Sequence, residues 1–281
     1  MPRLKKLKTL SDTAILELKP FMDKQVGKIE IPSYIDNDPV QFMHAFQDKR
    51  DQELAGFIAA TMGWGRRDIV IAKTEDFFRR MNNRPYDFIL NFSESDAEKY
   101  EGFKHRTFKP VDMYWITKSL QSILKQYQSF EDFWAFCYQK ADKADRELVA
   151  VFHEEFFSFY PEMPRRVRKH VSNPEKGSAA KRLYMYLRWC IRKGSPVDAG
   201  IMNFMDASEL KIPLDVHVAR QARKLGLLSR RQNDWKTVLE LTEKMKLLDP
   251  RDPVKYDYAL FGIGVNQTSL PSELMVNKNV R

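Results

Sequence analysis

The sequence predicts an all-α protein, and three observations carry that prediction. Glycine is scarce, 11 in 281 residues, and good helix formers such as Leu, Lys, Ala, Glu, Arg and Met dominate. Apolar residues recur at three- and four-residue spacing in segment after segment, and no convincing strand is visible. Helix-start and helix-stop residues fall between those segments. About ten helices and no internal repeat are expected.

Residues 10–26 read as the first helix, with Leu10, Ile15, Leu16 and Leu18 along it and Ser11 or Asp12 as cap. A proline-containing link ends in Asn37-Asp38-Pro39, a start signal for VQFMHAF. Residues 50–62 form a strongly apolar helix carrying Leu54, Phe57, Ile58 and Met62. It runs into the loop 63-GWGRRD-68, and a helix follows at 69–81. The polar and aromatic connection 100–110 leads to helices at 111–127, 130–142 and 145–160. The most basic stretch is 161–182, with three prolines and a glycine. A helix should start near Ser178, run to Arg192 and stop at Gly194-Ser195-Pro196. A short helix at 198–205, helices at 216–226 and 233–248 and a final segment 249–264 complete the unit. Residues 1–265 are expected to form one unit of two helical lobes, and 266–281 a C-terminal tail.

Lys and Arg total 47 against 38 Asp and Glu, a net charge of +9. An excess of this sign fits a polyanionic partner, nucleic acid or an anionic membrane surface. The 43% hydrophobic and 12% aromatic content excludes a disordered chain. Only Cys137 and Cys190 are present, neither in a Cys-x-x-Cys, so a four-cysteine metal or iron–sulfur site is impossible and buried free thiols are expected. No metal or cofactor is implied. The basic N-terminus precedes no apolar run, and no window approaches ~18 apolar residues, so a cytoplasmic protein outside the membrane is expected.

Several places carry candidate chemistry. In 211-KIPLDVHVARQARKLGLL-228, Pro213 disfavours helix before it and Asp215 is placed as N-cap of the next helix. The reading as a cap and the reading as a rigidly held catalytic carboxylate both stand. His217 is a second candidate, while Arg220, Arg223 and Lys224 should lie on the helix surface. In 177-GSAAKRLYMYLRWCIRK-193, Lys181, Arg188 and Arg192 recur on one face, with Met185 between them. A helix N-terminus repels a cation, which favours the neutral amine a Schiff-base nucleophile requires at Lys181. In the loop 63–68, Trp64 can stack on or wedge between bases, and Arg66 and Arg67 can grip phosphates. The run 165-RRVRKH-170 offers Arg165, Arg166, Arg168 and Lys169 as phosphate contacts. Asp257 and Tyr258 are weaker candidates among core-like neighbours.

Together these pieces resemble the helix–hairpin–helix DNA glycosylase superfamily. L-D-V-H-V-A-R at 214–220 with LGL at 225–227 is similar to the superfamily's aspartate-bearing V-D-T-H-V-x-R…LGL segment. ELAGFIAATMGWGRRD resembles the helix and loop whose tip enters DNA. GSAAKRLYMYLRW stands where the family places its lysine-bearing helix, and the spacing from Lys181 to Asp215 looks most like the archaeal 8-oxoguanine DNA glycosylase branch. The whole chain also resembles a bacterial family known as a domain of unknown function. The resemblance implies a two-lobed glycosylase-like fold that acts as a monomer on double-stranded DNA with a damaged base, an oxidised purine such as 8-oxoguanine. It implies Lys181 as nucleophile and Asp215 as assisting carboxylate, with Trp64, Arg66, Arg67, Arg165, Arg166, Arg168, Lys169, Lys176 and His217 on DNA. Asp257 and Tyr258 would flank the base pocket. One departure is clear: the hairpin L-P-G-V-G-x-K-T-A is replaced by 174-PEKGSAAK-181, which puts Lys181 two residues late and leaves Lys176 as the alternative nucleophile. With neither lysine in reach, the enzyme would be monofunctional. A nucleic-acid-binding protein without chemistry, and a membrane-surface or interaction protein drawing on the aromatic segment 130–160, are the competing readings.

Overall fold

The computed structural model describes residues 7–265 and 270–280. Among the described residues it is all-α, as expected, with no strand and two isolated bridges, His105 to Phe108 and Ser178 to Asp234. The α-helices are α1 Asp12–Glu17, α2 Lys19–Ile29, α3 Gln41–His44, α4 Lys49–Met62, α5 Arg67–Arg80, α6 Pro85–Leu90, α7 Pro110–Gln126, α8 Phe130–Lys143, α9 Leu148–Ser158, α10 Lys181–Ile191, α11 Val216–Lys224, α12 Trp235–Leu248 and α13 Tyr256–Val265. Short 3-10 turns join them, including Arg165–His170 and Pro174–Lys176.

Local chemistry sets the boundaries. Ser11 caps α1, its hydroxyl accepting from the Ala14 amide at 3.3 Å. The single helix expected over 10–26 is two, because Pro20 in the first turn of α2 has no N–H to extend the ladder of α1. The short α6, begun by Pro85, has too few residues to show a period and was not foreseen. The helix expected at 198–205 is absent. That segment instead closes the C-terminal end of α10, donating from Gly200 N to Trp189 O (3.0 Å) and from Met202 N to Cys190 O (2.8 Å). Residues 270–280 of the expected tail fold back, with Val276 N on Lys224 O (2.9 Å) and the Asn277 amide on Arg223 O (2.8 Å). Residues 266–269 and 281 lie outside the described residues.

One continuous apolar core runs from Ile15 to Leu270. The central α4 is buried from Glu53 to Met62 and packs on α10, where the Tyr186 hydroxyl donates to Glu53 O at 3.1 Å. The aromatic segment 130–160 belongs to this core: Trp134 stacks on Phe152 with centroids 3.8 Å apart. Both cysteines are buried, and burial pushes their thiols up. No helix among the described residues is long and apolar enough to cross a membrane.

Candidate active site

A cavity of about 640 Å³ opens where the starts of α10, α11 and α5 approach one another. Lys181 and Arg182 reach it from the first turn of α10, and Asp215 and His217 from the start of α11. Trp64 and Arg67 come from the loop after α4 and the first residue of α5. Met185, Leu214, Val70 and Phe261 give the cavity apolar walls. The volume is that of a small-molecule pocket, with a few convergent polar groups on apolar surroundings.

Asp215 is the N-cap of α11. Its Oδ1 accepts from His217 N at 2.8 Å and from Val218 N at 2.9 Å. Both hydrogen bonds end on the same oxygen, so the carboxylate is fixed in place while it lines the cavity. The cap and the site reading therefore coexist in one side chain. His217 is half-buried, its ring edge-on to Phe261 at 6.1 Å and its Nδ1 buried without a hydrogen-bond partner. Gly264 permits this approach of α13 to α11, since a Cβ there would stand 2.8 Å from His217 Cβ.

Lys181 is the first residue of α10, which begins there rather than near Ser178. Gly177 (φ +86°) and Ala180 (φ +45°) both take the left-handed conformation, which a helix cannot include. Two 3-10 turns, Arg165–His170 and Pro174–Lys176, precede α10. The Lys181 side chain makes no hydrogen bond or ion pair among the described residues. Lys176, the alternative nucleophile, is exposed in the turn Pro174–Lys176 and does not line the cavity.

The other expected DNA contacts divide. Trp64 is not an exposed tip: it is half-buried, with Arg106 over its ring at 4.6 Å and Arg182 at 5.9 Å. Arg67 faces the cavity between Asp38 (3.8 Å) and the rings of Tyr34 and Phe261. Arg66 is exposed and paired to Asp68 at 2.7 Å. Within 165–170, Arg165 and Lys169 are exposed, Arg168 lies over the Phe157 ring at 5.1 Å, and Arg166 turns inward to Asp112 at 2.7 Å. Arg223, expected on the surface, is buried: it donates to Arg230 O and Gln232 O, drawn in because the loop after α11 leaves those carbonyls without helical partners.

The basic face of α10 turns inward beyond its first turn. Arg188 pairs with Asp198 (3.3 Å) and Asp257, and Arg192 pairs with Asp198, Glu30 (2.7 Å) and Asp252 (2.9 Å). Tyr258 belongs to this network, its hydroxyl donating to Asp198 at 2.6 Å beneath the Arg188 guanidinium. Asp257 and Tyr258 do not line the cavity. Asp257 is nonetheless near it electrostatically. Burial pushes its carboxyl up to about 7, Arg188 opposes this, Asp215 adds to it and Lys181 opposes it. Its Oδ1 is buried without a hydrogen bond.

Sequence reasoning missed Arg182, Asp38, Asn233 and Phe261 as cavity residues. Asp38 was legible only as part of a helix start, where its Oδ1 does accept from Val40 N at 3.1 Å. Arg182 had one available signal, its place beside Lys181 in the first turn of a helix.

No curated protein and no solved structure matches the chain. A family model described as "Protein of unknown function (DUF2400)" matches residues 38–266, a span that contains every residue lining the cavity, from Asp38 to Val265. The chain belongs to that family.

Proposed function

We propose that this protein is a DNA glycosylase with an associated lyase activity, acting on a damaged base, an oxidised purine, in double-stranded DNA. The observation that carries the reading is the meeting of Lys181 and Asp215 in one cavity, two residues that are 34 positions apart in sequence and that the glycosylase resemblance pairs. A cavity of about 640 Å³ has room for a nucleotide turned out of the duplex.

The Lys181 amine attacks the sugar C1′, and the C1′–N bond breaks with its electron pair leaving on the base, which takes up a proton. Asp215 stabilises the positive charge that develops on the sugar and accepts the proton shed by the attacking amine. The sugar ring opens to a Schiff base on Lys181. Loss of a C2′ proton then expels the 3′ phosphate and nicks the strand, and water releases the enzyme. Arg67 and Trp64 would hold the turned-out nucleotide, and the exposed cations Arg66, Arg165 and Lys169 would meet the backbone.

Borohydride trapping on duplexes carrying 8-oxoguanine, uracil or an abasic site tests this. A covalent adduct is expected, absent in Lys181→Ala and Asp215→Asn. Base release without an adduct, dependent on Asp215, would mean a monofunctional enzyme. A second reading, a nucleic-acid-binding protein without chemistry, draws on the 3-10 turns that stand before α10 in place of a helix. It predicts lesion-independent binding with neither adduct nor release.

A further inference from the structure

Asp38 and Arg67 both line the cavity, and both keep accessible surface, 11% of the Asp38 side chain and 35% of the Arg67 side chain. Asp38 is anchored through Oδ1, which accepts from Val40 N at 3.1 Å. Its Oδ2 lies 3.8 Å from the Arg67 guanidinium, beyond hydrogen-bond reach. The other arginine–carboxylate pairs among the described residues close to 3.3 Å or less. Arg67 donates to no other group among the described residues. The rings of Tyr34 and Phe261, with centroids 5.7 and 5.6 Å from its Cζ, hold it without using its N–H groups. The cavity thus sets an anchored carboxylate oxygen beside an anchored guanidinium, an acceptor next to donors, among the apolar surfaces of Val70, Met185, Leu214 and Phe261. A flat ring whose edge carries a carbonyl beside N–H groups complements that pair. Guanine has such an edge, with O6 next to N1–H and the N2 amino group.

We propose that Asp38 and Arg67 read the edge of a guanine-type base turned into the cavity. Arg67 donates to the O6 carbonyl, and Asp38 accepts from N1–H and the N2 amino group. The placement of that base, in DNA, rests on the glycosylase reading, which the proposal sharpens: the base is a 6-oxopurine with a 2-amino group, a class to which 8-oxoguanine belongs. Hypoxanthine lacks the amino group, and adenine has a single amino group on this edge, so each offers Asp38 one donor fewer. Asp38 and Arg67 set specificity and take no part in the chemistry at C1′.

The test uses the full chain and three nucleosides: 2′-deoxyguanosine, 2′-deoxyinosine and 2′-deoxyadenosine. Titration calorimetry should show deoxyguanosine binding about tenfold tighter than the other two, the value of one charge-assisted hydrogen bond. Asp38→Asn keeps an oxygen for Val40 N and puts a donor in place of Oδ2, so the preference should vanish. Arg67→Gln should weaken deoxyguanosine and deoxyinosine alike, since they share the O6 carbonyl. A hairpin duplex with an unpaired guanine should displace deoxyguanosine, and one with an unpaired adenine should do so less well. Equal binding of the three nucleosides by the wild type, or binding of none, overturns the assignment, as does a preference for deoxyguanosine that survives both variants. Displacement by neither hairpin overturns the placement of a DNA base and leaves a free nucleoside as the ligand. Because binding is read without chemistry, a missing borohydride adduct sinks the lyase reading alone, and equal nucleoside binding sinks this one alone.

Discussion

At the C-terminal end of α10, Arg188 and Arg192 are buried among Asp198, Asp257, Asp252 and Glu30. At its N-terminal end, Lys181 and Arg182 face a cavity without any such partner among the described residues. The same helix thus meets the cost of desolvating a cation in two ways. One end is closed by carboxylates, and at the other Arg182 meets only the backbone carbonyls Thr61 O and Lys169 O. Sequence reads both ends as one basic stripe, since helical spacing gives the face of a residue but not what packs against it.

The largest expected effect falls on the closed end. Asp198→Ala leaves two buried guanidinium groups short of a carboxylate and should cost about 3–5 kcal/mol in urea unfolding. Arg182→Gln at the open end removes hydrogen bonds to two carbonyls and should cost about 1–2 kcal/mol. Equal losses would break the comparison and make Arg182 a structural residue.

A pH series sharpens it next. Burial pushes the carboxyl groups of Asp257 and Glu53 up to about 7. Between the ordinary carboxyl range and 7, the folded carboxyl keeps a proton that the unfolded one has lost. The stabilising contribution is therefore fully present below about 4 and fades as pH rises toward 7. Asp257→Asn should flatten part of that slope in the urea midpoint, and Glu53→Gln the rest. A slope identical to wild type in Asp257→Asn would mean that Arg188 keeps Asp257 ionised throughout.

Much of the fold was legible because helix signals are local. The caps Ser11 and Asp215, the apolar spacing of α4 and the aromatic face of α8 each announce their element within a few residues. The misses have equally local reasons. Pro20 splits a helix whose apolar period continues through it, and residues 198–205 form hydrogen bonds to α10 instead of to one another. Of the site, Lys181, Asp215, Trp64, Arg67 and His217 were found and do meet in the cavity. Arg166, Asp257 and Tyr258 were named as contacts but turn into ion pairs and the core, since nothing nearby in sequence tells that Asp112 or Asp198 waits opposite.

Asp215→Asn comes third in its effect on stability. Asparagine caps a helix about as well as aspartate, so the change in unfolding free energy should stay within about 1 kcal/mol. Trapping on a lesion duplex should nonetheless be lost, because an amide neither carries the charge nor accepts the proton. A stable variant that still forms the adduct would return Asp215 to a cap alone.

The smallest effects belong to the outer cations, where the contrast recurs within one 3-10 turn. Arg166 is tied to the buried Asp112, while Arg165 and Lys169 are exposed without an ion pair among the described residues. A cation already paired inside the protein has no charge to spare for a phosphate, whereas a solvated one releases a counter-ion when it meets one. Arg165→Ala and Lys169→Ala should leave the urea midpoint unmoved. Each should also lower the slope of log affinity against log salt by about one. Arg166→Ala should do the reverse, moving the midpoint while leaving the salt slope in place. A salt slope that responds to Arg166 instead would show that its pair with Asp112 opens on DNA.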